Sequence, residues 1–440
     1  MSGYVPPAGP ERYFDPPVET MARADIRAEQ EARLLEVLPH AYERSALVRH
    51  TWQQAGVHPR DISTLDDFTE RAPFLDKDGI RRFAQQTDDP YGGLHPTAAG
   101  DLQAVMSTSG TTGTPTLLPI PHGLPVSGLG FNREYWEIGV RPDDFLAVVL
   151  FTFRGCGWQS AQRIGAVPIF FDHDPAELAR FCRAALERRP TSMFMLSGYL
   201  VAMLPSVAER EGLDLVDVFS SFHGVIYGGE PLGARARAAV RSWQVELFDH
   251  TALGDVAWAM ECREHDGMHY PEDLALVEHL SVDGADPAPD GELGELVVTS
   301  LDPLLSPLVR FRSDDLVRLT RRTCGCGRTH GRLWPVGRRG DEVVVDGRTV
   351  LPVDVWRAVE TVPESEAALF QVVRPARQVD RLRLRIGYDA AARRPTADIA
   401  GDLAAAVSAE VGVEPVIELV PNEDLLRLGP PHKIPRVARA

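Results

Sequence analysis

Lysine is nearly absent from this chain. Of its 440 residues, 46 are Lys or Arg, and only Lys77 and Lys433 are lysines. Basic chemistry therefore rests on arginine, whose planar fork suits carboxylates and phosphates and stays charged. Any step that needs a compact ammonium has two candidates. Cysteine is also scarce: five residues, an odd number in a long chain, argue against a disulfide framework and leave metal binding or burial. Positive charge is in deficit. A net charge of −17 disfavours a general nucleic-acid or anionic-membrane binder, so neither partner is expected and an anionic ligand must be met by locally placed donors. Long apolar runs are missing as well. The longest, Phe145 to Phe153, is broken by a threonine and too short to cross a bilayer. With no basic-then-apolar start, a cytoplasmic location is expected. The 44% of apolar residues suffice for two or three domain cores.

What is present is concentrated in one stretch. Ser107-Thr-Ser-Gly-Thr-Thr-Gly-Thr-Pro-Thr116 cannot build core, and it can wrap an anion. Gly110 and Gly113 permit close backbone approach, while Ser107, Thr108, Ser109, Thr111 and Thr112 add hydroxyl donors to main-chain N–H groups. No lysine follows Gly113, so this is not the GxxxxGK[ST] loop. Taken alone, an exposed Ser/Thr/Gly loop is equally open.

Around this stretch, apolar residues at three- and four-residue steps over 17–56 predict an amino-terminal helical layer. Strand-type runs at 145–151, 166–171 and 224–227 alternate with helical patterns at 175–188, 198–211 and 233–242, which predicts an α/β core. Residues 290–319 read as strands joined by turns. A boundary is expected near Gly337. Beyond it, strands at Val343–Val345, Arg381–Ile386 and Val416–Val420 and helices at Val353–Val359 and Ala397–Val411 predict a compact α+β unit.

Six motifs follow one another in order: the 107–116 loop, Tyr227-Gly-Gly-Glu-Pro231, Phe248-Asp-His-Thr-Ala-Leu-Gly-Asp255, Arg310-Phe-Arg-Ser-Asp-Asp315, Gly337-Arg338 and Gly429-Pro-Pro-His-Lys433. In this order they resemble the adenylate-forming superfamily, and more closely its phenylacetate-CoA ligase-type members. The resemblance runs from Glu19-Thr-Met21 and Phe74-Leu-Asp-Lys77 to Lys433-Ile-Pro-Arg-Val437. It implies a large multi-subdomain α/β core over 1–336 that binds ATP and the acid, and a small mobile α+β domain over 337–440 that carries the catalytic lysine. Such enzymes attack the α-phosphate of ATP with a carboxylate, then let a thiol displace AMP. Developing negative charge must be met by preorganised donors, Mg²⁺ and a cation.

The resemblance assigns that cation to Lys433, and donors to the outgoing phosphates to Ser107 through Gly113. Asp315, a carboxylate suited to a vicinal diol, corresponds to the ribose-binding position, and Arg338 to the arginine at the start of the mobile domain. Gly228, Gly229 and Glu230 correspond to the segment beside adenine, although a plain strand-end turn would look the same. Asp249, His250 and Thr251 belong to the next nucleotide-binding motif. There the family pattern Tyr-Gly-x-Thr-Glu reads Thr251-Ala-Leu-Gly-Asp255: the aromatic partner of adenine is missing, and the Mg²⁺ position holds Asp255, one methylene shorter than glutamate. A bridging water absorbs such a difference. Thr114 replaces a common lysine, and Gly340, then Asp341, stand at the pivot.

Cys324-Gly-Cys326, with Cys262 and His269, supplies three thiolates and an imidazole, a tetrahedral zinc set without an open position. His265 and His330 are reserve ligands, and plain burial of the cysteines is the competing reading. Cys156 and Cys182 read as packing residues. The acid is expected beside the segments 151–157, 195–199 and 222–224, with Phe153, Tyr199 and Phe222 around a ring and Arg154 on a polar substituent. The resemblance implies an aryl or arylacetic acid and coenzyme A. Transfer to a carrier protein, activation of a small non-aryl acid or nitrite, a nucleotide-binding homologue without catalysis, and a homodimer all stay open.

Overall fold

The computed structural model describes residues 7, 9–95, 100, 102–107, 117–121, 130–149, 156–282, 284–302, 307–365, 367–389, 393–428 and 434–438. Five parallel strands form one half of a twelve-stranded sheet: β1 (Phe145–Val149), β2 (Val167–Phe171), β3 (Ser192–Leu196), β4 (Gly224–Tyr227) and β5 (Leu247–Leu253), in the order β2-β1-β3-β4-β5. Val225, Ile226, Ala147 and Val148 are fully buried, as expected where both faces of a parallel sheet are covered. The helix Pro175–Arg188 starts where Asp174 accepts from the N–H groups of Ala176 and Glu177 at 2.9 and 3.1 Å and Pro175 presets the first turn. The helix Gly198–Glu211 is capped by Ser197 and ends at Gly212 in the left-handed region, φ 68°.

The sheet continues antiparallel from β5 through β6 (Ala257–Glu261), β7 (Met268–His269) and three long strands, β8 (Ala275–Leu280), β9 (Leu293–Ser300) and β10 (Phe311–Thr320), with β11 (Arg332–Arg338) between β10 and β7. The expected helical layer covers this half: Arg23–Arg44 and Ala46–Gln54 bury Leu34, Leu38 and Trp52 against Leu253, Val298 and Phe311. A separate antiparallel hairpin, Leu102–Ser107 with Leu117–Pro121, pairs Ser107 with Leu117. The Ser/Thr/Gly loop therefore connects the two strands of that hairpin, and no helix follows it directly.

The carboxy-terminal unit has its own core, in which Val355, Phe370, Leu384, Ile386, Leu403 and Val407 pack together. Its four-stranded sheet ends with Val437–Ala438 parallel to Phe370–Val373. That pairing brings the chain just beyond Lys433 back into the small domain. β11 runs through Gly337 to Arg338, and the chain then turns at Gly340, where φ is 87° and no heavy atom stands within 4 Å of the place a Cβ would take.

The amino-terminal layer is fastened to the sheet by Arg310. This buried guanidinium pairs with Glu278 at 3.0 Å, donates to the carbonyls of Ala72 at 2.6 Å and Thr69 at 2.5 Å, and stacks 4.1 Å from the Phe74 ring. Lys77 adds a second fastening, donating to Ser313 O at 2.7 Å. One of the two lysines is thus structural. Replacing Arg310 with Ala leaves Glu278 buried without its cation, a change that costs about 3–5 kcal/mol. The expected outcome in urea melts is a loss of unfolding free energy of that size; a loss under about 1 kcal/mol would show that the pair is dispensable.

Candidate functional site

The carboxyl ends of β3, β4 and β5 lie side by side in the parallel half of the sheet, and open α/β sheets hold ligands at the carboxyl ends of their strands. Gly228 and Gly229 follow β4 directly. A Cβ at Gly228 would lie 3.2 Å from Met195 Sδ and 3.4 Å from His250 Cδ2, so only glycine lets this turn rest on the side chains beneath it. Met195 itself has φ 71°, at a register break between β3 and β4, a bulge of the kind that re-aims side chains beside sites.

Asp315 and Arg338 face each other across β10 and β11, with Arg338 Nε donating to Asp315 Oδ1 at 3.2 Å. Asp315 first, then burial, then Asp341 and Asp255 act on Arg338, and the net effect is to raise its pKa. Asp255 sits in the β5–β6 turn with φ 62°. The fold thus brings Asp255, Asp315 and Arg338, which are far apart in sequence, to one edge. Thr251 is partly exposed on β5 beside Ala259.

Beneath the same edge, Asp249 is pushed up to about 8 by burial and by the Glu261 carboxylate. Its N–H donates to Glu261 Oε2 at 3.1 Å. Burial acts against the charge of Glu261, yet His265 and Arg237 outweigh it and hold this carboxyl below its ordinary range. The hydrogen bonds to Glu246 and Glu261 raise His265 to about 9. Two adjacent carboxylates therefore share one charge.

The small domain touches this edge through charge. Glu230 accepts from the N–H of Ile434 at 3.2 Å and from Arg436 Nη2 at 2.8 Å. Arg436 also lies over the rings of Trp356 and Phe370, at 4.1 and 4.7 Å. Glu360, from the small domain, accepts from Ala234 N at 3.0 Å and Arg235 N at 3.4 Å, capping the core helix Ala234–Ser242, whose own Gly233 cap has no side chain. Glu230, expected beside adenine, spends its carboxylate on this contact.

The four sulfur and nitrogen ligands meet. Ligand atoms of Cys262, His269, Cys324 and Cys326 all lie within 4.8 Å of one another, with Cys262 and Cys324 sulfurs 3.8 Å apart and Cys326 Sγ 3.4 Å from His269 Nε2. A zinc tetrahedron with Zn–S of about 2.3 Å has edges of about 3.8 Å, so the set fits. His269 Nδ1 donates to His330 O at 3.0 Å, which turns Nε2 toward the sulfurs. The reserve histidines are committed elsewhere. His330 meets Val18 O at 3.0 Å and Glu272 N at 3.4 Å, and His265 meets Glu246 and Glu261.

The expected substrate wall is corrected in part. Phe222 is fully buried, packed 4.9 Å from Phe219 and 6.2 Å from Phe181, because the short turn before β4 tucks it under the helices. It has no face for a ligand. Tyr199 is partly buried at a helix start and packs against the same cluster. Thr108, Ser109, Gly110, Thr111, Thr112, Gly113, Phe153, Arg154 and Lys433 lie outside the described residues, as does the Ser107 side chain. Missed by sequence reasoning were the Glu360 cap and a buried aromatic cluster of Phe131, Phe194, His250 and Trp258. Neither leaves a local pattern, since each joins segments more than fifty residues apart.

No family model matches the chain. A phenylacetate-CoA ligase of Thermus thermophilus is 29% identical over 386 residues, 85% of this chain and 84% of that protein. In structure, 2-hydroxyisobutyryl-CoA ligase in its postadenylation state, in complex with R3-HIB-AMP, superimposes with a TM-score of 0.84 at 24% identity, covering 100% of this chain and 94% of the other. The same ligase in its thioesterification state, with 2-HIB-AMP and CoA, gives 0.69 at 25% identity, covering 99% and 94%. The fold is that of the adenylate-forming ligases. Sequence and fold agree: the chain is similar to phenylacetate-CoA ligases over most of its length and has the fold of the adenylate-forming ligases.

Between about pH 4 and 8 folded Asp249 keeps a proton that the unfolded chain has released, so stability falls as pH rises through that window. Asp249→Asn is expected to flatten the decline in melting temperature from pH 5 to 8. An unchanged slope would show that this carboxyl is not the group responsible.

Proposed function

We propose that this protein joins a carboxylic acid to coenzyme A in two steps: the acid attacks the α-phosphate of ATP to give an acyl-adenylate and pyrophosphate, and the CoA thiol then displaces AMP. The observation that carries the reading is the clasp of Glu230 on Ile434 and Arg436. It draws the residues immediately after Lys433 to the edge where Gly228, Asp315, Arg338 and Asp255 meet. Asp315 takes the ribose hydroxyls and Arg338 the nucleotide, while the hydroxyl-rich hairpin loop takes the departing phosphates. Lys433 is assigned to the α-phosphate and carboxylate oxygens. Asp255 offers one carboxylate to Mg²⁺, enough for an ion that keeps several waters and supplies charge neutralisation at the phosphates. Gly340 is the pivot between core and small domain, since glycine changes backbone conformation there without steric strain.

The cysteine cluster is assigned to structural zinc. It ties the segment after β6 to the knuckle before β11, remote in sequence and adjacent in the sheet, and a full set of protein ligands leaves no position for substrate. About one zinc per chain is expected by elemental analysis, lost with a lower melting temperature on replacing Cys324 and Cys326 by Ser. Protein that is metal-free and equally stable would refute the assignment.

For the reaction, Lys433→Ala is expected to slow acid-dependent pyrophosphate release by about a hundredfold more than thioester formation from supplied acyl-adenylate, because only the first step builds charge at the α-phosphate. Glu230→Gln is expected to lose in the same direction by a smaller factor. Equal losses in both half-reactions would remove Lys433 from the role.

A further inference from the structure

The aromatic cluster under the Gly228 turn holds polar atoms that the fold leaves unsatisfied. His250, at the carboxyl half of β5, lies nearly parallel to Phe131, 5.9 Å away at 20°, and to Trp258, 5.0 Å away at 21°, with Phe194 edge-on at 6.2 Å. Its Nδ1 stands 3.1 Å from Glu134 Oε2, with His250 5% and Glu134 6% exposed. The pair lacks hydrogen-bond alignment. Glu134 Oε2, both ring nitrogens of His250 and the indole nitrogen of Trp258 are buried without a hydrogen-bond partner among the described residues. Glu134 and Trp258 also line a cavity of about 50 Å³ that runs past Gly130 and Met260 to Cys262 and His269 of the cysteine cluster, room for a small polar group at its Glu134 end.

Buried polar atoms in folded proteins are paired with few exceptions, and several orphans in contact indicate a missing partner. An unsubstituted ring pressed against these walls would leave every one of them dry. A carboxylate accepts, an imidazole ring can both donate and accept, and an indole N–H only donates. The complement to this set is a group that both donates and accepts hydrogen bonds, carried on a flat apolar body, the shape that stacked aromatic walls select. The location agrees: His250 Cδ2 lies under Gly228, beside Met195, in the expected acid-binding region.

We infer that the acid taken by this site is an aromatic acid bearing a hydroxyl or amino group, and that Glu134 and His250 are the residues that select it. The inference rests on the acid-activating reading above and goes beyond it, since an unsubstituted arylacetic acid would satisfy that reading alone.

The test uses the full chain with benzoic and phenylacetic acids and their ring-hydroxylated and ring-aminated derivatives. Pyrophosphate release gives kcat/KM, and calorimetry in the presence of a non-hydrolysable ATP analogue gives Kd. At least one donor-bearing acid is expected to exceed its unsubstituted parent by about tenfold or more in both measurements, because a site built to hydrogen-bond such a group rejects the analogue without it. Glu134→Gln and, as a variant that keeps the aromatic stack, His250→Phe are each expected to reduce that ratio by about tenfold. Separate hydroxyl and amino arms show which donor is preferred. A better parent acid, a ratio unchanged in both variants, or no binding of any acid overturns the inference. Selective, variant-sensitive binding without pyrophosphate release would leave it standing and sink the acid-activating reading instead.

Discussion

One carboxylate fixes the working shape of this molecule. Glu230 closes the turn after β4 and holds both the Ile434 N–H and the Arg436 guanidinium of the small domain, so the chain that follows Lys433 is fastened to the core. The contact is charge-assisted and largely removed from water, with both side chains 11% exposed, which makes it stronger than a surface pair. Glu360 repeats the device at a second point, giving the helix Ala234–Ser242 the N-terminal cap that its own Gly233 lacks. Both attachments are polar, and polar contacts of this kind can be exchanged for water when domains move. A two-step reaction in one pocket requires an interface that holds firmly and can let go.

Beneath that edge the protein concentrates charge and then neutralises it in pairs. Arg338 with Asp315, Arg237 and His265 with Glu261, and Arg436 with Glu230 each match a cation to a carboxylate. Asp249 holds a proton because it is buried and its neighbour already carries the local charge. Arginine suits this work, since its fork satisfies several acceptors at once, as Arg310 shows in binding Glu278 and the Ala72 and Thr69 carbonyls together. A compact ammonium is reserved for Lys77, inside the fold, and for Lys433. The cysteine cluster joins β6 and β7 to the turn before β11.

Much of this was legible in the chain. Apolar runs bounded by glycine and serine located the parallel strands, because a strand buried on both faces must be apolar throughout. The motifs Gly228-Gly229-Glu230 and Arg310 to Asp315 stood out because they set distinctive residue types at short spacing. The cluster of Cys262, His269, Cys324 and Cys326 was readable too, since few side chains offer sulfur. Phe222 was misread because a phenylalanine before a strand looks the same whether the turn after it points outward or inward. The Glu134–His250 pair left no trace, its members being more than a hundred positions apart.

Periodicity, turn chemistry and the identity of scarce residues are local properties, and by themselves they determined the α/β core, the small carboxy-terminal unit and the residue types of the cysteine cluster. Which carboxylates pair with which cations, which aromatic rings face a ligand, and how the two domains are fastened were decided only by the tertiary structure. Those outcomes turn on distances of a few ångströms between segments remote in sequence, where burial strips away water and makes a single charge or an unpaired nitrogen matter.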